Sequence, residues 1–217
     1  MNHAHNKIVI WRHGQTDWNI QNRFQGSTDI PLNETGVAQV SRAGKLLTGL
    51  SPSQIISSDL SRAYSTAKAL ADLVGLEIKK DHRLRETDGG NWEGKTGDAI
   101  RETDIENFIR WIDGDDNPAG DVGERRSEVA TRAVSAINEA LSGKTNHTLI
   151  VATHGGTARC IIGSMLELPM STWGSIGGLS NAAWSILSST PRGWNLVEHN
   201  SGSLPEPIFG EESGGEK

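Results

Sequence analysis

The chain has 217 residues, 35% hydrophobic and 22% charged, with 25 glycines and a net charge of −6. That length predicts one domain, and the composition excludes collagen, coiled coil and global disorder. The acidic balance argues against a nucleic-acid partner, and the absence of any apolar run near about 18 residues argues against a membrane span, so a cytoplasmic protein is expected.

Residues 1–6 are short and polar, and 201–217 are rich in Gly, Ser, Pro and Glu. Both ends are expected to be flexible, leaving 7–200 as the folded domain. KIVIW (7–11) predicts a buried strand. A helix follows, capped by Asn33, with Val37, Val40, Leu47 and Leu50 on its apolar face. QIISS (54–58) predicts a second strand, and Asp59 or Ser61 is expected to cap the next helix. LEIKK (76–80) reads as a third strand, and 96–111 and 124–142 as two helices. HTLIVAT (147–153) is a strongly apolar strand, followed by a helix to about Leu166 that carries a buried, inert Cys160. NAAWSIL (181–187) and GWNLVEH (193–199) predict a hairpin around Thr190-Pro191-Arg192. Alternating strands and helices imply an α/β three-layer sandwich, with a mostly parallel central sheet and helices on both faces.

In such a sheet, ligands bind at the carboxyl ends of the strands. Strand one ends in Arg12-His13-Gly14, and the 147–153 strand ends in His154-Gly155-Gly156. The helix after strand two carries Arg62 in its first turn, and Arg83, Arg85 and Glu86 follow strand three. Two histidines and several arginines therefore converge on one rim. Nearby cations disfavour imidazolium, so a histidine there is kept as the neutral nucleophile. The same arginines fit phosphate oxygens, Gly14 allows close approach of the backbone to a ligand, and Glu86 is the acid placed to protonate a leaving oxygen. These groups support in-line phosphoryl transfer to histidine and then to water. Arginine supplies the neutralising charge, so neither a metal nor a cofactor is expected.

Four segments, RHGQTDWNIQNRFQGSTDIPLNETG (12–36), SSDLSRAYSTA (57–67), RLRETDGGNWEGKT (83–96) and VATHGG (151–156), resemble in order the motifs of the histidine phosphatase superfamily, the phosphoglycerate mutase-like proteins. The resemblance covers roughly residues 7–197. It implies a phosphoglycerate mutase-like fold, with His13 as the phosphorylated residue, Arg12, Arg62, His154 and Asn19 around the phosphate, and Glu86 as proton donor. Gln25 stands where mutases usually carry Ser or Thr, and Gln25 and Gly26 are carried over as substrate contacts. The short Gly94–Gly123 segment implies an open site that favours hydrolysis over mutase transfer. Residues 174–187 are similar to the phosphatases of glycosylated phosphoglycerates. The substrate is accordingly expected to be a small phosphorylated metabolite, and the assembly a homodimer, as is common among such relatives. The rival readings are mutase-type phosphoryl transfer and a non-catalytic phospho-ligand module.

Some features point elsewhere or nowhere. Gly89–Thr96 satisfies GxxxxGK[ST], but the preceding RLRETD is charged where a P-loop needs an apolar strand. A Gly-rich turn placing Trp92 over the site rim, ahead of a helix capped near Thr96, fits better. Arg85 is left outside the core set. Arg125 replaces the Ser of the family's Gly-Glu-Ser and would add positive charge if its loop meets substrate. His3 and His5 are expected to be solvated and His82, His147 and His199 surface or structural, while Trp173 and Trp184 are candidates for a subunit interface.

Overall fold

A computed structural model describes residues 5–202. The expected flexible ends lie largely outside these, at 1–4 and 203–217. Asn6 is held firmly: its backbone N–H donates to Ser189 Oγ at 2.8 Å, its Nδ2 donates to the Lys144 carbonyl at 3.0 Å, and its Oδ1 accepts from His147 N at 3.0 Å.

Six strands form one sheet: β1 (Lys7–Arg12), β2 (Gln54–Ser57), β3 (Ile78–Lys80), β4 (Thr148–Thr153), β5 (Trp184–Thr190) and β6 (Gly193–Ser201). Their order is β3-β2-β4-β1-β5-β6. The pairs β2–β3, β2–β4 and β1–β4 are parallel, and the hairpin β5–β6 joins β1 antiparallel. The helices are α1 (Asp17–Ile20), α2 (Glu34–Leu47), α3 (Ser61–Val74), α4 (Gly97–Ile112), α5 (Arg126–Leu141) and α6 (Gly155–Met165).

Strand periodicity divides the core. Ile8, Ile10, Leu149 and Val151 point to one face and pack with Ala133 and Ile137 of α5 and Ile161 and Ile162 of α6. Val9, Trp11, Ile150 and Ala152 point to the other and pack with Val40 and Leu47 of α2 and Ala67 and Leu70 of α3. Side chains alternate at every step of a strand, so a central strand covered on both faces must be apolar throughout. A smaller aromatic cluster lies apart, built from Phe24, Trp92, Phe108 and Trp111.

Two local expectations fail. Val37 is 56% exposed, so the apolar face of α2 rests on Val40, Ala43 and Leu47 instead. Neither Asp59 nor Ser61 caps α3. The cap position is Leu60, and the N-terminal amide of Ser61 donates to Asp29 Oδ1 at 2.8 Å, so the carboxylate comes from a loop distant in sequence. Asn33 and Thr96 cap α2 and α4 as expected. Among the described residues, no helix is long and apolar enough to cross a membrane.

Candidate active site

β1 and β4 are adjacent, with Arg12 in register with Thr153. The next residue of each chain is a histidine, so His13 and His154 leave the sheet side by side. Their ring centroids are 5.2 Å apart, and both side chains are buried. His13 Nδ1 lies 2.7 Å from the Gly14 carbonyl. A carbonyl only accepts, so Nδ1 carries the proton and Nε2 keeps its lone pair. Burial, then the charges of Arg62 and Arg12, hold His13 well below the usual histidine range. The ring therefore stays neutral.

Arg62 is fully buried at the start of α3. Its Nε donates to His154 Nδ1 at 3.2 Å, its Nη1 to the Thr28 carbonyl and its Nη2 to the Gly26 carbonyl, both at 2.8 Å. With Nδ1 of His154 accepting, its Nε2 carries the proton and donates to Ser58 Oγ at 2.8 Å. Burial, then Arg62, also keeps His154 well below its usual range. The Gly26 carbonyl points at Arg62 because the chain turns there with φ +51°, and a Cβ at that position would lie 2.1 Å from Glu93 Oε1. Gln25, buried beside it, accepts from Thr16 Oγ1 at 2.9 Å.

Two donors in this pocket have no acceptor. Arg12 sends Nη1 to the Leu179 carbonyl, but its buried Nε is unpartnered. Asn19 uses its Oδ1 to accept from Thr16 N at 3.0 Å and Asn181 Nδ2 at 3.2 Å, and its buried Nδ2 is likewise unpartnered. Asn181 Nδ2 also donates to the His13 carbonyl at 3.3 Å, which ties Asn19 to the segment that carries His13. An unmet buried donor costs about 1–3 kcal/mol, more when charged, so such donors mark a place built for an anion.

Glu86 is buried against the start of the helix that follows His154. Its Oε1 accepts from the amides of Thr87 (2.9 Å) and Thr157 (3.0 Å), and its Oε2 from the amide of Gly156 (3.0 Å). The last two amides belong to the first turn of α6, two and three residues after His154, so the carboxyl is held at a helix N-terminus. Among the described residues, no three His, Cys, Asp or Glu side chains cluster as metal ligands would.

Some neighbours differ from expectation and others follow it. Trp92 does not cover the rim; it is fully buried in the aromatic cluster, donating to Asp104 Oδ2 at 2.8 Å. The Gly89–Thr96 segment is no phosphate cradle. Its turn packs Gly90 against the backbone at 119–123, and Glu93 turns inward to accept from Ser27 N, Thr28 N and Gly89 N. The close approach at Gly14 is to α2, where a Cβ would come within 2.5 Å of the Gly36 carbonyl. Arg85 pairs with Asp59 at 2.6 Å, Arg125 reaches the Asp116 carbonyl, and Trp173 and Trp184 are buried rather than displayed.

The sequence reading missed Ser58, Thr66, Thr157 and Asn181. Thr66 Oγ1 accepts from Gly14 N at 3.2 Å and donates to the Arg62 carbonyl at 2.7 Å. Ser58 had a usable signal, because it directly follows a parallel strand. Thr66 had none, because its partners are backbone atoms, and Asn181 had none, because its partners, the His13 carbonyl and Asn19 Oδ1, lie far away in sequence.

A buried neutral imidazole, a buried guanidinium and unmet donors at the carboxyl edge of a parallel sheet define a phosphoryl-transfer pocket. The chain belongs to the histidine phosphatase superfamily (branch 1), whose model matches residues 8–202, and it is a phosphomonoesterase of that superfamily. It is similar to the glucosyl-3-phosphoglycerate phosphatase of Mycobacterium tuberculosis, 35% identical over 190 residues, covering 84% of this chain and 85% of that protein. A solved structure of a mycobacterial glucosyl-3-phosphoglycerate phosphatase complexed with VO3 superposes with a TM-score of 0.84 at 35% identity, over 89% of this chain and 98% of that one. Phosphoserine phosphatase 1 of Hydrogenobacter thermophilus is 30% identical over 186 residues, covering 86% of this chain and 88% of that protein.

Proposed function

We propose that this protein hydrolyses glucosyl-3-phosphoglycerate or a close relative of it through a phosphohistidine at His13. The observation that carries the reading is the pair of unpartnered buried donors, Arg12 Nε and Asn19 Nδ2, beside an imidazole whose Nε2 lone pair is available. The substrate phosphate meets these donors and the Arg62 charge, with His154 lining the pocket and orienting Arg62. His13 Nε2 attacks phosphorus in line, the N–P bond forms, and the ester P–O bond breaks. Protonated Glu86 gives its proton to the departing alkoxide. The Gly14 carbonyl holds the Nδ1 proton throughout and stabilises the charge that grows on the ring. Glu86, now a carboxylate, takes a proton from water as the water oxygen attacks phosphorus. The N–P bond breaks, and His13 returns neutral as phosphate leaves.

The glucosyl-3-phosphoglycerate assignment is supported by relatives that carry that activity in their names and match most of both chains. Gln25 and Gly26 are read as substrate contacts, and the Gly26 carbonyl also holds Arg62. Arginine charge does the work of a metal ion in this scheme, so chelators should leave turnover intact. We read the enzyme as cytoplasmic, in keeping with one buried cysteine, Cys160, and as acting without nucleic acid. A homodimer is supported by Ile105, Ile109 and Ile112, spaced along one exposed side of α4, and light scattering tests it. The deciding experiment is turnover of glucosyl-3-phosphoglycerate, phosphoserine and 3-phosphoglycerate by wild-type and His13→Ala protein. Free phosphate from the first substrate, lost in the variant, is expected. Isomerised phosphoglycerate would assign a mutase, and phosphate binding without turnover of any ester would assign a binding module.

A further inference from the structure

Glu86 sits on a stretch without regular secondary structure, between a short 3-10 turn at His82–Leu84 and another at Gly90–Trp92. Its carboxyl is fixed by α6, but its backbone needs a separate anchor. One side chain on α5 supplies it. Arg132 Nη1 donates to the carbonyls of Arg83 (2.7 Å) and Arg85 (2.8 Å), and Nη2 donates to the carbonyl of Glu86 itself (3.1 Å). The same guanidinium grips Glu124 with Nε at 2.7 Å and Nη2 at 2.8 Å. Glu124 extends the grip: its Oε2 accepts from Asp88 N at 3.0 Å, and its own N–H donates to the Asp88 carbonyl at 2.9 Å.

We propose that Arg132 and Glu124 are positioning residues that hold Glu86 at the distance needed to protonate the leaving oxygen. The proposal rests on the acid role given to Glu86 above. A planar guanidinium with five donors is the one side chain that can serve three carbonyls and a bidentate carboxylate together, and a lysine cannot reproduce the fork. The hydrogen bonds of both side chains go to the backbone of 83–88 and to each other rather than to His13, His154 or the Glu86 carboxyl. The arrangement also predicts which substrates suffer. A misplaced acid harms esters whose leaving alkoxide needs a proton and spares those whose leaving group departs as a stable anion.

An open groove of about 440 Å³ lies on the outer side of α5, lined by Arg83, Ser127, Glu128, Thr131, Arg132 and Ser135. The Arg132 side chain is 19% exposed there. Free guanidinium therefore has a route to the position that Arg132 would vacate.

The experiment measures kcat and KM for para-nitrophenyl phosphate and for a set of alkyl phosphates. The proteins compared are wild type, Glu86→Gln, Arg132→Ala, Arg132→Lys and Glu124→Gln. For Arg132→Ala the expected loss in kcat is roughly 10²-fold on alkyl esters, the scale of a small misplacement, and clearly less on the aryl ester. Inorganic phosphate should inhibit it as it inhibits wild type, because the anion pocket is untouched. Millimolar guanidinium should restore part of the alkyl activity, and Arg132→Lys should recover less than wild type. Should Arg132→Ala fail to fold, Glu124→Gln, which keeps the side-chain shape and one acceptor, is expected to show the same alkyl-selective loss at smaller size. A uniform loss on all esters, or none, while Glu86→Gln shows the split overturns the positioning role alone. Absence of the split in Glu86→Gln overturns the acid role and the positioning role with it.

Discussion

The two walls of the pocket are built differently. The wall we assign to the nucleophile is made by β1 and β4 at the centre of the sheet, where strand register alone sets His13 beside His154. The wall we assign to the acid is made by residues 83–93, which form no strand and no long helix. Their shape comes from side chains that reach across to backbone: Arg132 to three carbonyls, Glu86 to the first turn of α6, and Glu93 to amides of two loops. The first wall is part of the core, whereas the second is a set of discrete bonds. Damage to the first should therefore be broad, and damage to the second should be selective and separable.

The largest expected effect is on the nucleophile wall. Arg62→Met removes a buried charge that touches His154 and two loop carbonyls. Turnover of every ester should fall roughly 10³-fold, the scale of losing a main anion-stabilising donor, with no distinction between aryl and alkyl leaving groups. Selective loss on alkyl esters would mean that Arg62 belongs functionally to the other wall. Glu86→Gln should do the opposite. A loss of about 10²-fold on alkyl phosphates is expected, with para-nitrophenyl phosphate much less affected.

A third measurement tests the burial of the histidine pair. Burial first, and then the charge of Arg62, hold both imidazoles of the folded protein well below the ordinary histidine value of 6.5. Below that value the unfolded chain takes up protons that the folded chain refuses. The unfolded state therefore binds more protons, and stability falls as pH drops from about 6.5 toward the folded values. Urea titrations at descending pH should show that slope, and His154→Gln should reduce it. An unchanged slope in that variant would mean that His154 gains a proton in the folded protein as readily as in the unfolded one.

This contrast also governs what the sequence disclosed. The sheet, its order of elements and the meeting of Arg12, His13, Arg62 and His154 followed from apolar runs and from the rule that parallel strands deliver their ends to one edge. The acid wall was legible only as a residue, Glu86, and not as a structure. Trp92 was expected over the rim because a Gly-rich turn says nothing about which way its aromatic points. It is buried because Phe24, Phe108 and Trp111, far apart in sequence, enclose it. Asp59 or Ser61 was expected to cap α3, but the Asp59 carboxylate is taken by Arg85, and the Asp29 carboxylate from a distant loop receives the Ser61 amide instead. Local rules failed wherever a partner distant along the chain competed for the same group.

Glu93 links the walls and predicts a smaller change. Its carboxylate receives Ser27 N at 2.7 Å and Thr28 N at 3.1 Å from the loop that holds Arg62, and Gly89 N at 3.1 Å from the loop behind Glu86. Glu93→Ala leaves those amides without an acceptor and opens space beneath Gly26. The cost should be about 1–3 kcal/mol, seen as a fall in Tm of about 2–4 °C per kcal/mol for a chain of this size. Activity should drop on all esters, since both loops loosen. A drop confined to alkyl esters would place Glu93 with the acid wall alone.

The smallest effect belongs to Thr157. Its hydroxyl lies 2.7 Å from the Arg85 carbonyl and 3.2 Å from Glu86 Oε1, while its amide supplies the shorter bond to the same carboxylate oxygen at 3.0 Å. Thr157→Val keeps the shape and the amide and deletes only the hydroxyl. The Arg85 carbonyl still receives Arg132 Nη1, so no acceptor is left bare. The expected cost is about 1 kcal/mol in stability, with a loss on alkyl phosphates of less than about tenfold. A loss as large as that of Glu86→Gln would show that the hydroxyl, not the helix N-terminus, sets the direction of the carboxyl. The acid wall would then hang on one side chain rather than on the backbone of α6.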